Sequence, residues 1–212
     1  MPHPAMEPED ANTELHAERI DAVARRLLAC GARSVLDLGC GPGWLLARLL
    51  VEPAIVRLVG IDTSAAALRV AERRISEAEV TGDAARGRVT LRNGSFMELG
   101  TEESGFDAAA MVETIEHVEP SQLSRLERSI FEAARPRLVL ITTPNREYNV
   151  LYGLADDERR HPEHRFEWSR AKFREWALGV GGRRGYAVEM ADVGRSDPLR
   201  GAPTQMAVFT MG

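Results

Sequence analysis

Several features that would place this chain in a specialised class of protein are missing from its 212 residues. Only two cysteines occur, Cys30 and Cys40, which are too few for a disulfide framework and favour a reduced, cytoplasmic setting. No apolar run approaches the roughly 20 residues that a membrane-spanning helix needs. Residues 1–12 are rich in proline and acidic side chains, and they lack the apolar stretch of a signal peptide. We therefore expect a cytoplasmic protein with no membrane partner.

An excess of positive charge is also missing. The net charge is −5 and the isoelectric point is about 5.6. Non-specific coating of nucleic acid depends on neutralising phosphates, so this charge argues against that class of protein but leaves room for a local basic patch. Lys172 is the only lysine, so arginine supplies nearly all cations. Arginine suits bidentate phosphate contacts, but we attribute the bias to genome composition.

What is present is the pattern of one α/β domain of ordinary composition, with 44% apolar and 28% charged residues. The order β-α-β-α-β-β-α-β follows an opening helix, 13–29, for which Thr13 is the expected N-cap. Because the strands are apolar and alternate with helices, the sheet should be mainly parallel. The predicted strands are 34–38, 56–61, 88–92, 106–112, 138–142, 186–193 and 205–211. The later predicted helices are 44–51, 65–79, 120–134 and 170–178.

Two stretches depart from this regular pattern. Residues 1–12 are predicted to be a flexible tail, which leaves 13–212 as a single domain. Residues 144–168 show little apolar periodicity and are rich in Arg, His, Glu and Tyr. A segment of this length without regular structure in a compact domain is usually functional or disordered. We expect it to be an insertion after the fifth strand.

A glycine-rich turn joins the first predicted strand to the next helix. It reads Asp37-Leu-Gly-Cys-Gly-Pro-Gly43, and such glycines let the backbone turn sharply and let a ligand approach closely. Asp62 ends the second strand, where an acidic residue binds the hydroxyls of a nucleotide ribose in related sheets. Together the turn and Asp62 predict a nucleotide-binding site.

A second cluster, Met111-Val-Glu-Thr-Ile-Glu-His117, follows the fourth strand. On a helical turn Glu113, Glu116 and His117 would stand at i, i+3 and i+4 and point to one side. Two carboxylates and an imidazole can hold a divalent cation. The pattern alone would also suit an exposed helix start, or a Glu113 that binds a polar substrate without a metal.

The turn Asp37-Leu-Gly-Cys-Gly-Pro-Gly43 resembles that of class I S-adenosylmethionine-dependent methyltransferases, because it begins with an acidic residue at a strand end. That resemblance implies a Rossmann-like, mainly parallel seven-stranded sheet with helices on both faces and an antiparallel last strand. It also implies S-adenosylmethionine as cofactor. Its methionine part would contact Asp37, Gly39 and Gly41, its ribose Asp62, and its adenine Ser95 and Phe96.

Three further motifs together resemble one family closely, the small-RNA 3′-terminal ribose 2′-O-methyltransferases. This family comprises the plant microRNA methyltransferase, the animal piRNA methyltransferases and bacterial RNA-repair relatives. The matching elements, within a likeness that runs from about Leu36 to Trp176, are Glu113-x-x-Glu116-His117, Thr143-Pro-Asn145 with Glu147-Tyr-Asn149, and His164-Arg-Phe-Glu-Trp168 with Arg170.

The family resemblance implies four metal ligands, which would also be the catalytic residues: Glu113, Glu116, His117 and His164. His161 matches a common neighbouring histidine and is not expected to be a ligand. The two open positions of an octahedron would take the terminal 2′-OH and 3′-OH, and the bound 2′ oxygen would be activated for in-line methyl transfer. A mixed nitrogen and oxygen site suits Mn²⁺ as well as Mg²⁺, with Co²⁺ as a third candidate.

The resemblance also implies contacts to the RNA 3′ end. We interpret Arg159, Arg160 and Arg165 as phosphate contacts rather than simple surface charge, and Asn145 and Tyr148 border the site. Three more residues of the segment have open roles. Arg170 belongs to the same arginine group, and Phe166 and Trp168 either stack on the terminal base or anchor the insertion, with the core favoured for Trp168.

Departures from the family limit what can be transferred. Pro42 replaces a charged residue of many relatives, which should be neutral. The duplex-RNA-binding modules of eukaryotic members are missing, as is the amino-terminal half with which many bacterial relatives dock on a kinase-phosphatase-ligase repair partner. The chain is then either a stand-alone member or a domain excised from a longer protein, and the initiating Met favours the first. We expect a monomer that protects repaired RNA ends, with such a repair protein as a candidate partner.

Two alternatives stay open. The first is a metal-dependent O-methyltransferase that acts on a small vicinal diol, which the acidic charge favours. The second is a non-catalytic, cofactor-binding subunit of an RNA-repair complex. A complete ligand set argues against the second alternative.

Overall fold

One mixed sheet organises the computed structural model, which describes residues 8–78 and 87–212 and, for residues 8–13, the backbone alone. Its strands are β1 (Ser34–Leu38), β2 (Arg57–Asp62), β3 (Val89–Asn93), β4 (Ala108–Val112), β5 (Leu138–Pro144), β6 (Tyr186–Val193) and β7 (Thr204–Met211). Their order in the sheet is β3-β2-β1-β4-β5-β7-β6. The first five strands are parallel, and β7 is antiparallel to both β5 and β6. The predicted α/β class is confirmed.

Helices cover both faces of this sheet. They are α1 (Pro8–Ala29), α2 (Trp44–Leu50), α3 (Ala65–Glu77), α4 (Leu123–Arg128) and α5 (Arg170–Arg184). A 3₁₀ turn at Pro120–Gln122 precedes α4, and a π-helical turn at Ser129–Ala134 extends it. Further 3₁₀ segments lie at Phe96–Glu98, Thr101–Glu103, Ile115–His117 and Arg146–Tyr152. The first three helices pack on one face, and α4 and α5 pack on the other.

Neighbouring strand residues supply two separate cores. Side chains alternate along a strand, so Val35 of β1 packs with α1 and α2 whereas Leu36 packs with α4 and α5. In β5, Leu140 and Ile141 divide in the same way. Apolar residues on both faces are typical of a sheet that is covered on both sides. Since both faces are covered, a ligand would bind at the carboxyl ends of the parallel strands, as in other open α/β sheets.

The ends of two helices differ from the predictions. Helix α1 begins at Pro8, so Thr13 lies inside it and is not its N-cap. Proline suits a first helical position because its fixed φ is helical and its missing N–H needs no partner there. The predicted tail is therefore wrong for residues 8–12, while residues 1–7 lie outside the described residues. The predicted end of α3 at Glu79 also lies outside them.

Helix α5 runs six residues past its predicted end at Leu178. The helix continues through its glycines, and one of them, Gly181, lies where β6 packs closely against the helix. A Cβ on Gly181 would lie 2.4 Å from Val188 Cγ2 and 2.7 Å from the carbonyl oxygen of Tyr186. Gly185, with φ of 74°, then ends the helix in the left-handed conformation.

The segment after β5 has more regular structure than its composition predicts. Asn145 caps the 3₁₀ helix Arg146–Tyr152 by accepting a hydrogen bond from the backbone N–H of Glu147. An isolated parallel bridge joins Asn145 to Trp168 and closes the segment at its base.

Two expectations from composition can be compared with the structure directly. Cys30 is exposed, Cys40 is buried, and neither forms a disulfide in the described part of the chain. Within the same part, none of the helices combines the length and apolar character needed to cross a membrane.

Candidate cofactor and metal site

The glycine turn after β1 has no room for a side chain at its first glycine. Gly39 has a φ of 75°, and its N–H donates to the carbonyl oxygen of Ile61 at 2.8 Å. A Cβ at this position would lie 2.4 Å from Cγ2 of Thr114, just after β4. Gly41 has a φ of 50°, and a Cβ there would face open space. The glycines thus bring the turn against Thr114 and leave a concave surface in front of it.

Asp37 is the most unusual side chain of this turn. Burial, and secondarily the nearby carboxylate of Asp62, raises the pKa of Asp37 to about 7. Its Oδ2 is buried and accepts no hydrogen bond from any described residue. An unpaired buried carboxylate oxygen is costly, so the position is suited to a ligand that brings a positive charge or an N–H donor.

Asp62 connects the glycine turn to the start of α3. Its carboxylate accepts hydrogen bonds from the backbone N–H groups of Gly41 and Ser64, both at 2.8 Å. An ionised carboxylate has about four acceptor positions, so capacity for ligand hydroxyls remains. At the end of β3, Ser95 caps the turn that begins at Phe96, and both side chains are half-buried. The predicted cofactor residues therefore lie along the carboxyl ends of three adjacent strands.

A cavity of about 210 Å³ lies in front of the turn. Its lining includes Asp37, Gly39 and Gly41 from the prediction, together with Glu113. A further lining residue, His16 of α1, was not predicted from the sequence, because a single histidine in an amphipathic helix carries no motif.

Glu113 does not lie on the helical turn that was predicted for it. It directly follows β4 with φ of 48°, a left-handed conformation that is rare and strained for a residue other than glycine. Its N–H donates to the backbone and side-chain oxygens of Thr142, and its carboxylate pairs with Arg19 of α1 at 3.2 Å. The arrangement of Glu113, Glu116 and His117 on one face of a helical turn is therefore wrong, since only Ile115–His117 is helical.

Three of the four predicted metal ligands come together. Glu116, His117 and His164 each place a possible ligand atom within 4.8 Å of the others, and we refer to these three residues as the Glu/His group. Glu113 is outside it, although its charge is close enough to act on Glu116. Burial, and secondarily Glu113, raises the pKa of Glu116 well above its ordinary value.

The buried carboxylate of Glu116 is only half satisfied. Oε2 accepts a hydrogen bond from Thr143 Oγ1 at 3.0 Å, whereas the buried Oε1 has no partner among the described residues. One carboxylate oxygen and two imidazoles form a mixed oxygen and nitrogen donor set. A cation among them would satisfy Oε1, so the residues present fit a divalent metal ion.

Glu167 fixes the ring of His164, a role that was not predicted from the sequence. His164 Nδ1 and Glu167 Oε1 are 2.6 Å apart, which leaves Nε2 as the nitrogen for a ligand. Glu167 in turn accepts hydrogen bonds from Asn149 Nδ2 at 2.6 Å and from the backbone N–H of Arg160 at 2.8 Å. The spacing of His164 and Glu167 gave no signal for the pair, because side chains at i and i+3 are neighbours on a helix and this part of the chain is not helical.

His161 lies beside the Glu/His group without joining it. Its ring centroid is 6.1 Å from that of His117 and 5.6 Å from that of His164. Its Nδ1 accepts a hydrogen bond from the backbone N–H of Glu163. Burial, followed by the neighbouring His164 and His161, lowers the pKa of His117. These contacts are consistent with leaving His161 out of the predicted ligand set.

Two of the predicted RNA contacts are occupied within the protein. Arg160 donates to Asn149 Oδ1 and to the carbonyl oxygens of Pro203 and Asn145, so each of its nitrogens has an acceptor. Asn145 is fully buried and donates to the carbonyl oxygens of Arg200 and Ala202. Both residues hold the insertion together, because these contacts engage every side-chain nitrogen of Arg160 and the amide nitrogen of Asn145 within the protein.

The other predicted RNA contacts stay nearer to solvent. Arg159 donates to the carbonyl oxygen of His164 at 2.6 Å, and Arg165 forms an exposed ion pair with Glu119 at 3.0 Å. Tyr148 is half-buried, and its ring packs 5.4 Å from that of the exposed Tyr152. These three predicted residues keep surface that a ligand could reach.

The aromatic residues of the insertion serve its packing. Phe166 stacks on Trp168 with ring centroids 4.3 Å apart, and Trp168 lies 5.3 Å from Trp176 of α5. Both Phe166 and Trp168 pack against the core that lies between the sheet and the helices α4 and α5. Arg170 is also engaged internally, in an ion pair with Glu147 at 2.7 Å.

Comparison with known proteins shows which proteins this chain resembles. A family model described as a methyltransferase domain matches residues 35–137. The chain is 37% identical over 188 residues to a small RNA 2′-O-methyltransferase of Mus musculus, an alignment that covers 84% of this chain and 46% of that protein. The chain thus spans about half the length of this curated relative.

Solved structures show the same resemblance, and this chain covers almost the whole of one of them. The methyltransferase domain of bacterial-CtHen1-C is 38% identical, with a TM-score of 0.84 over 93% of this chain and 99% of that one. A Pnkp1/Rnl/Hen1 RNA repair complex contains a chain with a TM-score of 0.67 at 20% identity, over 92% of this chain and 41% of that one. The first likeness extends to sequence and fold, and the second shows the fold alone.

Proposed function

This chain belongs to the small RNA 2′-O-methyltransferase family, and on that basis we propose that it transfers the methyl group of S-adenosylmethionine to the 2′-OH of the 3′-terminal nucleotide of RNA. One observation carries the proposal. The loop after β4 contributes Glu113 and Thr114 to the cavity at the glycine turn, and three residues later it contributes Glu116 and His117 to the Glu/His group. A methyl donor and a metal-held acceptor would meet at that loop.

The cofactor would bind along the carboxyl ends of β1, β2 and β3. Asp37 carries an unpartnered oxygen that suits the ammonium of the methionine part, and Asp62 retains acceptor capacity for the ribose hydroxyls. Ser95 and Phe96 follow β3, where they would flank the adenine. In open α/β sheets, ligands bind at these strand ends.

The Glu/His group would hold a divalent cation, Mg²⁺ or Mn²⁺, with Co²⁺ as a third candidate. When bound, such a cation makes the hydroxyl that it contacts more acidic and orients the acceptor. Around it, Thr143 would hold Glu116 and Glu167 would hold the ring of His164. Glu113 remains a proposed fourth ligand, and that role requires it to leave Arg19 or to share its carboxylate with it.

The test uses labelled S-adenosylmethionine, Mn²⁺ and a short RNA that ends in a 2′,3′-diol, a 3′-phosphate or a 2′-deoxy nucleotide. We expect label only on the diol end, and loss of labelling with EDTA. Equal labelling of the 3′-phosphate RNA would contradict recognition of both hydroxyls.

A second candidate function uses the same cofactor and cation on a small vicinal diol such as a sugar or catechol. The internal hydrogen bonds of Arg160 and Asn145 favour it, because they engage within the protein two of the side chains that were expected to contact RNA. Labelling of a catechol, together with no labelling of any RNA, would establish this alternative in place of the first. Binding of cofactor without transfer to any acceptor would instead point to a non-catalytic subunit.

The biological setting remains a prediction. We propose a cytoplasmic, monomeric protein that protects RNA ends after repair, with a kinase-phosphatase-ligase protein as candidate partner. Co-purification with such a partner, and the molar mass in solution, would test these two points.

A further inference from the structure

Helix α1 brings an unassigned histidine to the cofactor cavity. We infer that His16 binds the carboxylate of the methionine part of S-adenosylmethionine by donating a hydrogen bond from Nε2. This inference rests on the proposed function for its cofactor only, and it is independent of the metal ion and of RNA. His16 lies outside the residues that the methyltransferase-domain model matches, 35–137.

The first support is the position of an unpartnered atom. His16 lines the cavity with Asp37, Gly39 and Gly41, the residues expected around the methionine part. Its Nε2 is buried and has no hydrogen-bond partner among residues 8–78 and 87–212. A buried ring nitrogen without a partner carries an unfavourable desolvation cost, which a ligand atom at that position would remove.

The second support is the distribution of charge in the cavity. Arg19 and Arg74 act on His16 and, after burial, contribute to lowering its pKa, so the ring is neutral at neutral pH and keeps one N–H to donate. Asp37, on the same lining, has a pKa that burial raises to about 7, so an ammonium group beside it would hold it in its ionised form. A zwitterion fits this pattern, with its ammonium at Asp37 and its carboxylate at the side of His16, near Arg74 and near the ion pair of Arg19 with Glu113.

The third support is that the ring is held in place. His16 packs edge-on against Trp44, with ring centroids 5.8 Å apart at 70°. The guanidinium of Arg74 lies 3.5 Å over the Trp44 ring and also donates to the carbonyl oxygen of Pro42. The stack ties His16 to the glycine turn, so the histidine is positioned before a ligand arrives, and this lowers the entropic cost of binding.

The test is calorimetric binding of S-adenosylhomocysteine and of its decarboxylated form, which keeps the ammonium and lacks the carboxylate. For His16→Ala we expect the affinity for S-adenosylhomocysteine to fall by about tenfold or more, as for loss of a hydrogen bond to a charged group. The affinity for the decarboxylated ligand should change by less than about twofold on the same scale. Glu18→Ala, an exposed change on the same helix, is the matched control and should leave both affinities unchanged.

His16→Gln separates hydrogen bonding from packing, because its side-chain amide can donate from a similar position. It should bind S-adenosylhomocysteine more tightly than His16→Ala does. Equal weakening for both ligands in His16→Ala, no weakening, or no gain with glutamine would each overturn the inference. If the unchanged protein binds neither ligand, the cofactor assignment fails with it, whereas the other adverse results leave the proposed function standing.

Discussion

The cofactor cavity and the Glu/His group adjoin one another but are held together by different means. The shape of the cavity depends on close approach of the backbone, since Gly39 sits where a Cβ would collide with Thr114 and the N–H of Gly41 is held by Asp62. The Glu/His group depends on side chains that other side chains orient, as Glu167 orients His164. The cofactor cavity should therefore be sensitive to added side-chain volume, and the Glu/His group should be sensitive to the loss of single polar atoms.

The largest effect should come from the Glu/His group itself. In His164→Ala we expect methyl transfer to a diol-ended RNA to fall by about a thousandfold or more, because metal-ion catalysis supplies several kcal/mol. Affinity for S-adenosylhomocysteine should be nearly unchanged, which single-turnover assays and calorimetry would check together. His161→Ala is the control and should retain activity. An equal loss of cofactor binding would mean that the Glu/His group and the cofactor cavity cannot be disrupted independently.

The cavity should respond to one added methyl group. Gly39→Ala forces alanine into a left-handed conformation and places its Cβ against Thr114, so we expect a loss of about 2–4 kcal/mol in the free energy of unfolding. Urea unfolding would measure it. Gly31→Ala is the matched control, because Gly31 has a similar φ of 74° but open space around the added Cβ. Equal losses in both variants would remove the role assigned to Thr114.

A smaller effect is expected when the support of His164 is weakened and the ligands are left in place. Glu167→Gln should lower the affinity for Mn²⁺ by about 10–100-fold, the usual cost of losing a carboxylate that orients a ligating imidazole. Calorimetric titration with Mn²⁺ is the measurement. Glu158→Gln, an exposed change in the same segment, should bind as the unchanged protein does. Unchanged affinity in Glu167→Gln would show that Glu167 does not orient the ligand.

The smallest expected effect is a pH dependence of cofactor binding, which concerns the cofactor cavity and not the Glu/His group. Burial raises the pKa of Asp37 to about 7, so the free protein binds a proton there that an ammonium ligand must displace at lower pH. Affinity for S-adenosylhomocysteine should therefore rise between pH 6 and pH 7, by at most about tenfold per unit, and level off above pH 7. Asp37→Asn should flatten the profile. An equal slope in that variant would assign the proton to another group.

The same shift has a consequence for the free protein. Because the pKa of Asp37 is higher in the folded state, ionising it opposes folding. Its contribution to stability is therefore fully present below the ordinary aspartate pKa and is lost as pH rises towards about 7. Bound cofactor should reduce this loss.

The sequence predicted those parts of the molecule that depend on short stretches of chain. The strand β1, the glycine turn and the cap of α3 at Ser64 follow from local patterns, and the first strand was predicted with its observed bounds. The convergence of Glu116 and His164 was predicted only through the family resemblance, because nothing local brings β4 and the insertion together. The internal role of Arg160 could not be predicted, since two of its three acceptors are backbone carbonyls that the fold brings to it.

Glu113 and His16 show that the local sequence was not enough to predict the site. The motif around Glu113 was visible, but its left-handed backbone and its ion pair with Arg19 arise from packing against α1 and β5. His16 carries no motif, and it becomes notable only because α1 places it in the cavity. In both cases the missing information is the position of α1.

The measurement that tests the central claim most directly is an anomalous difference map from crystals grown with Mn²⁺ and S-adenosylhomocysteine. We expect a single strong peak among Glu116, His117 and His164, beside the loop that borders the cofactor cavity, and contacts from Glu113 in that map would decide whether it is the fourth ligand. A peak elsewhere on the molecule, or no peak at a saturating Mn²⁺ concentration, would contradict a metal-held acceptor site next to the cofactor.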